Sequence, residues 1–147
     1  MVEFALILFP LLILVAGIIQ FGIGLNFWLD QQRIANQGAR WAVVNTWPGC
    51  PRNATACGTP NTLQEYLHNQ ALSQGLSNSV TVNVCYPDDG DTQTPAEAVG
   101  TPVQVRLAAP FEFLPILGLG TITLRADATM RLEQDPTHIT GELSSCP

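Results

Sequence analysis

Between Phe4 and Leu29 the chain carries no charged residue, and Gln20 and Asn26 are the only strongly polar side chains in that run. As a helix those 26 residues would measure about 39 Å, against roughly 30 Å for the hydrocarbon core of a bilayer. A helix that is apolar on every side has to lie in lipid or against other apolar helices. A secretory signal peptide has a basic start and an apolar core of only about 7–15 residues. This run is longer, and nothing basic precedes it, so the sequence reads as already mature. A plain single-pass anchor satisfies the length.

Three features point beyond a plain anchor. Glu3 stands at the very front of the run, where a carboxylate entering lipid is costly and is kept for a partner. Pro10 lies inside the run; a mid-helix proline frees the carbonyl of Leu6 and predicts a kink or local opening. Apolar residues also keep helical spacing beyond Leu29. Ile34, Ala35, Ala39, Ala42 and Val43 recur through a stretch that includes Asp30, Arg33 and Arg40. One helix from about residue 2 to about 45 is therefore expected, apolar all round in its first half and amphipathic in its second. This divides the chain into an apolar segment, 1–29, and a globular head, 30–147, that includes the amphipathic half of the helix. Trp47-Pro48-Gly49-Cys50-Pro51 is the expected stop.

The head reads as α+β. Thr62 with Glu65 three residues on forms a capping-box pattern, predicting a short helix to about Gln74 with Gly75 as its stop. Three stretches then alternate with period two: Val80, Val82 and Val84; Val103, Val105 and Leu107; and Ile122 through Leu132. One apolar face per strand implies a small, half-buried antiparallel sheet. The amphipathic half of the long helix is the natural cover for that face. Residues 108–120 are unusually apolar for a connection. They are expected as a loop over the sheet end or as a contact surface for a neighbour.

Six Arg, no Lys and twelve acids give a net charge of -6. That balance argues against nucleic acid as a partner, because binding phosphates requires clustered cations. It also argues against a surface that docks on anionic lipid. Four cysteines, Cys50, Cys57, Cys85 and Cys146, stand beyond a membrane-length segment and imply disulfides in an oxidising compartment. They allow three connectivities. Cys50 with Cys57 spans a short Pro-rich loop, which would leave Cys85 to hold Cys146.

Little in the sequence points to catalysis or to a cofactor. His68 and His138 stand outside any metal-ligand spacing, and no nucleophile elbow, phosphate loop or haem motif occurs. Asp88-Asp89-Gly90-Asp91 lacks the spacing of a calcium loop and reads as a solvated turn. Asn53-Ala54-Thr55 matches a glycosylation sequon.

The start of the chain resembles the TadE-like family of type IV pilins, from the tight-adherence pilus systems. The resemblance is carried by Val2-Glu3-Phe4-Ala5, then Leu8-Phe9-Pro10-Leu11-Leu12, then Gly17-Ile18-Ile19-Gln20-Phe21-Gly22. Gln20 departs from the Glu usual in the last block. Thr123-Leu124-Arg125-Ala126-Asp127-Ala128-Thr129-Met130-Arg131-Leu132-Glu133 resembles the family's closing strand. The resemblance implies a leader cut by a prepilin peptidase, an inner-membrane pool of subunits, and extraction by an assembly machinery into an extracellular helical filament of identical copies. The expected assembly positions are Met1, Glu3, Phe4 and Pro10. Glu3 would pair with the N-terminal amine, at Met1, of a neighbouring copy, since a buried carboxylate is tolerable only when paired. A minor pilin at the filament tip, and a single-pass protein with a periplasmic ligand-binding head, are the competing expectations.

Overall fold

A computed structural model describes residues 2–51, 57–71, 78–87, 99–112, 120–134 and 144–145. One helix, α1, runs unbroken from Val2 to Val44, about 65 Å at 1.5 Å per residue. It is followed by a short helix α2 (Leu63–Asn69) and four strands: β1 (Thr81–Tyr86), β2 (Pro102–Glu112), β3 (Thr121–Arg131) and β4 (Ser144–Ser145). The sheet order is β3-β2-β1-β4. The first three strands are antiparallel neighbours, and β4 adds two residues parallel to β1. This is the expected α+β arrangement of a long apolar helix packed on a small antiparallel sheet.

Helix α1 ends earlier than its Pro-Gly stop, and for a different reason. Asn45 takes a left-handed backbone, φ 50°. Its N–H donates to the carbonyl of Ala42, and the N–H of Thr46 reaches back to that of Trp41. Those paired bonds form a Schellman motif with Asn in the place usually held by glycine. The Pro-Gly pair makes a separate tight turn, in which Trp47 and Cys50 exchange both backbone hydrogen bonds. The turn leaves Trp47 and Cys50 buried. Helix α1 continues through Pro10, although its ring nitrogen offers no proton to the carbonyl of Leu6.

The core is the sandwich of α1 on the sheet. Ile34, Ala35, Ala39, Ala42 and Val43 from α1 meet Val82 and Val84 of β1, Val103, Val105 and Leu107 of β2, and Ala126 and Ala128 of β3. The strand register stacks these side chains in rows, with Val84 opposite Val105 and Val105 opposite Ala128. Alanines on both the helix and β3 let the backbone layers approach closely. Gly38 does the same toward α2 and β2. A methyl built there would lie 2.6 Å from Leu67 Cδ1 and 3.2 Å from Val105 Cγ1. At the far end of the head, the N–H of Glu133 donates to the carbonyl of Val43, tying the end of β3 to the end of α1.

Two expected boundaries are corrected. Helix α2 starts as expected, with the Thr62 hydroxyl accepting from the Glu65 N–H, but it stops at Asn69 rather than near Gln74. Gln70 caps it by donating to the carbonyl of Leu67, and the N–H of Ala71 donates to that of His68. Beyond the stop, the Arg33 guanidinium donates to the Gln70 carbonyl at 3.3 Å while pairing with Asp30 at 3.0 Å. The expected stop at Gly75 lies outside the described residues. The second correction concerns residues 108–120. Ala108–Glu112 are not a loop but the outer half of β2, paired residue for residue with Thr121–Arg125. Here β1 has ended, since Thr81 lies opposite Ala108. Pro110 therefore sits where one side of β2 has no neighbour among the described residues, the setting in which a strand tolerates proline. Alternation persists through it, with Ala109 and Phe111 buried and Pro110 and Glu112 exposed.

Candidate assembly surface

Among the described residues nothing covers α1 from Phe4 to Ile23. Every large apolar side chain described from Phe4 to Ile23 is exposed, among them Phe4, Leu6, Phe9, Leu14, Ile18 and Phe21. Burying one such side chain is worth about 1.5–3 kcal/mol. Leaving this surface in water therefore costs on the order of tens of kcal/mol, several times the net stability of an ordinary domain. The segment is long and apolar enough to cross a membrane. It is also continuous with the clamped half of α1: the same helix that covers the sheet projects the apolar segment outward.

The expected assembly positions lie at the free end of that projection. Glu3 is exposed in the first turn, where a carboxylate also complements the positive end of the helix dipole. Phe4 is among the most exposed side chains, at 72%. Pro10 is exposed two turns on. Met1 lies outside the described residues. The cysteines belong to the opposite end of α1, in the head. Cys50 is bonded to Cys57, and Cys85 is also in a disulfide. Its expected partner Cys146 lies outside the described residues, although β4 brings Ser144 directly beside Cys85. The sequon asparagine Asn53, the acidic turn at Asp88–Asp91 and His138 also lie outside the described residues. His68 is exposed on α2.

Sequence reasoning missed two residues of the helix–sheet contact. Gly38 was legible only as a weak point of the helix, yet it is the point of closest approach to α2. Gln31 falls on the buried stripe and is fully buried, and neither of its amide atoms bonds another group among the described residues. Its period along the helix was the available signal, since it lies one turn from both Phe27 and Ile34.

The head offers open hollows rather than an enclosed cavity among the described residues. One lies on the solvent face of the sheet, lined by Asn83, Arg106, Arg125 and Asp127. The other lies between α1 and α2, lined by Arg40, Trp41 and Tyr66. No cluster of three His, Cys, Asp or Glu side chains able to hold a metal occurs among the described residues.

The family model described as TadE-like protein matches residues 1–40. Over its long helix the chain is similar to that family. The matched stretch covers the whole exposed apolar segment and most of the amphipathic half that clamps the sheet. No curated protein and no solved structure matches the chain. A TadE-like protein is associated with Tad pili, and this pilus-related family is not an enzyme family. The exposed N-terminal helix fits a membrane-anchored pilus component.

Proposed function

We propose that this TadE-like chain is a structural subunit of an extracellular Tad-type filament. It is held in the inner membrane by its apolar helix and then polymerised through the same helix. The observation that carries this reading is the exposure of every large apolar side chain described on α1 from Phe4 to Ile23, joined without a break to a half that is locked on the sheet. A flexible tether would serve an anchor equally well. A rigid continuation of the head transmits the packing of the helices directly to the spacing of the heads, which a helical polymer needs. Lipid satisfies the apolar surface before assembly, and copies of the same helix satisfy it afterward. Glu3, Phe4 and Pro10 would lie at the axial contacts of the polymer, with Glu3 facing the N-terminal amine of a neighbour. A prepilin peptidase and the pilus assembly machinery are the other partners of this cycle, and surface adhesion is the role of the finished filament.

The test is negative-stain microscopy of material sheared from cells, with peptide mapping of the filaments. The expected result is filaments in which peptides of the head dominate. Peptides confined to the membrane fraction, with none in the filaments, would leave only the anchor.

A further inference from the structure

The outer end of the β2–β3 hairpin does not stay with the rest of the head. It reaches back along α1 onto the apolar segment. Phe111 packs edge-on against Phe27, ring centres 5.7 Å apart, and its ring closes over Gly24, where a methyl would meet Cε1 at 3.4 Å. After Glu3 the next charged residues of the helix, Asp30 and Arg33, come only after Leu25–Leu29. The head thus meets the helix about 9 Å below the level of Asp30, at 1.5 Å per residue.

This contact fixes how deep the helix can sit in a bilayer. From Phe4 to Gly24 a helix rises about 30 Å, the thickness of the hydrocarbon core. Were the boundary at Leu29, the hairpin end would be inside hydrocarbon. There β2 has lost its β1 neighbour, and its backbone groups on that side, unpaired among the described residues, would have no water, which lipid-exposed strands cannot sustain. The boundary therefore falls near Gly24. Leu25–Leu29 and the hairpin end then lie in the interfacial layer, roughly 5–8 Å deep on each side. The exposed surface at that level suits the layer. Ile122 is 52% exposed, Leu25 43% and Trp28 39%, and tryptophan concentrates at this depth. Between Glu112 and Arg125 the sequence carries no charge. Glu112 is exposed and remains among headgroups and water.

We infer that, in the membrane pool, the outer end of the β2–β3 hairpin rests in the bilayer interface together with Leu25 and Trp28, so that the head lies on the membrane surface. The inference rests on the membrane-pool reading above. Extraction into a filament then has to lift Ile122 and its neighbours off lipid as well as withdraw the helix.

The test uses the full chain in phosphatidylcholine vesicles containing a minor share of phosphatidylglycerol. A polarity-sensitive fluorophore is placed at Ile122→Cys, at the mid-span site Leu14→Cys, or at Val99→Cys, with the labelled parent chain as background. Val99 is exposed and lies beside Gly100, whose N–H bonds the Leu132 carbonyl at the far end of the hairpin. Quenching by lipids spin-labelled at the headgroup or deep in the chain reads the depth of each site. The expected result is strong loss of Ile122 fluorescence with the headgroup probe, loss at Leu14 with the deep probe, and none at Val99. Thr123→Cys, exposed beside Ile122, should repeat the Ile122 result. If Leu14 is quenched and Ile122 behaves as Val99, the helix spans the bilayer, the head stands clear, and the inference fails alone. If Leu14 is not quenched by the deep probe, the membrane reading and the inference fail together. A blue-shifted Ile122 label that no lipid probe quenches would put a second copy there instead of lipid and overturn the inference.

Discussion

Gly38→Val is expected to destabilise the head by about 1–3 kcal/mol, the usual penalty for forcing extra methyl groups into a filled core. A first methyl already meets Leu67 Cδ1 at 2.6 Å and Cδ2 at 3.0 Å. Leu67 is a side-chain end, and such an end often swings away. Here it is 1% exposed and has no empty space to enter, while Val105 closes the other side at 3.2 Å. Helix propensity works in the opposite direction, because replacing a mid-helix glycine by alanine gains up to about 1 kcal/mol. Gly38→Ala should therefore fall between the parent and Gly38→Val. Adding Leu67→Ala to Gly38→Val should relieve part of the loss, since the two sites share one contact and do not add. Thermal unfolding of the full chain in detergent, followed by circular dichroism, gives the order. A Gly38→Val chain melting at the parent temperature would mean that α2 is not held against α1 as described.

Glu3→Gln should leave membrane insertion intact and remove most filaments. The change keeps the size of the side chain and deletes its charge. In the membrane-held subunit Glu3 is exposed at the end of α1, so losing the charge there is neutral or slightly favourable. In the assembled filament, as proposed, the carboxylate faces a neighbour's amine away from water. Removing one member of a buried pair typically costs about 3–5 kcal/mol. That amount at each successive contact stops a polymer while leaving each subunit folded. Filaments are counted in sheared material from cells lacking the parent subunit, with the membrane fraction as loading control. Parent-level filament yield from Glu3→Gln would remove the proposed role of this carboxylate. Assembly restored only when parent subunits are co-expressed would locate the defect at the contact between copies.

Much of this architecture follows from patterns that lie along the chain. The end of the uncharged run, the helical spacing of Ile34 through Val43 and the alternation of Val80–Val84 and Val103–Leu107 each report which side is buried, and a helix on a small sheet is the simplest way to join those faces. What escaped depends on distance in space rather than along the chain. Asn45 ends α1 through its backbone angle, and nothing in its polarity separates it from Asn36, which continues the helix. Ala108–Glu112 read as a connection because Pro110 argues against a strand; it is tolerated only because β1 stops at Thr81. Strand β4 consists of two serines, with no apolar alternation to announce it. The exposed apolar segment was the most legible part, since an all-apolar helix is written directly into composition.

Cross-linking between copies measures the central claim most directly. A photo-reactive residue at Leu14, which is 59% exposed at mid-segment, is activated in filaments sheared from the cell surface. If α1 helices pack on one another, the linked products are a ladder of dimers, trimers and higher multimers, with the partner peptide mapping to the apolar half of α1. If the cross-links are confined to lipid or to unrelated membrane proteins, with no ladder in the sheared fraction, the helix is an anchor and the filament account is contradicted.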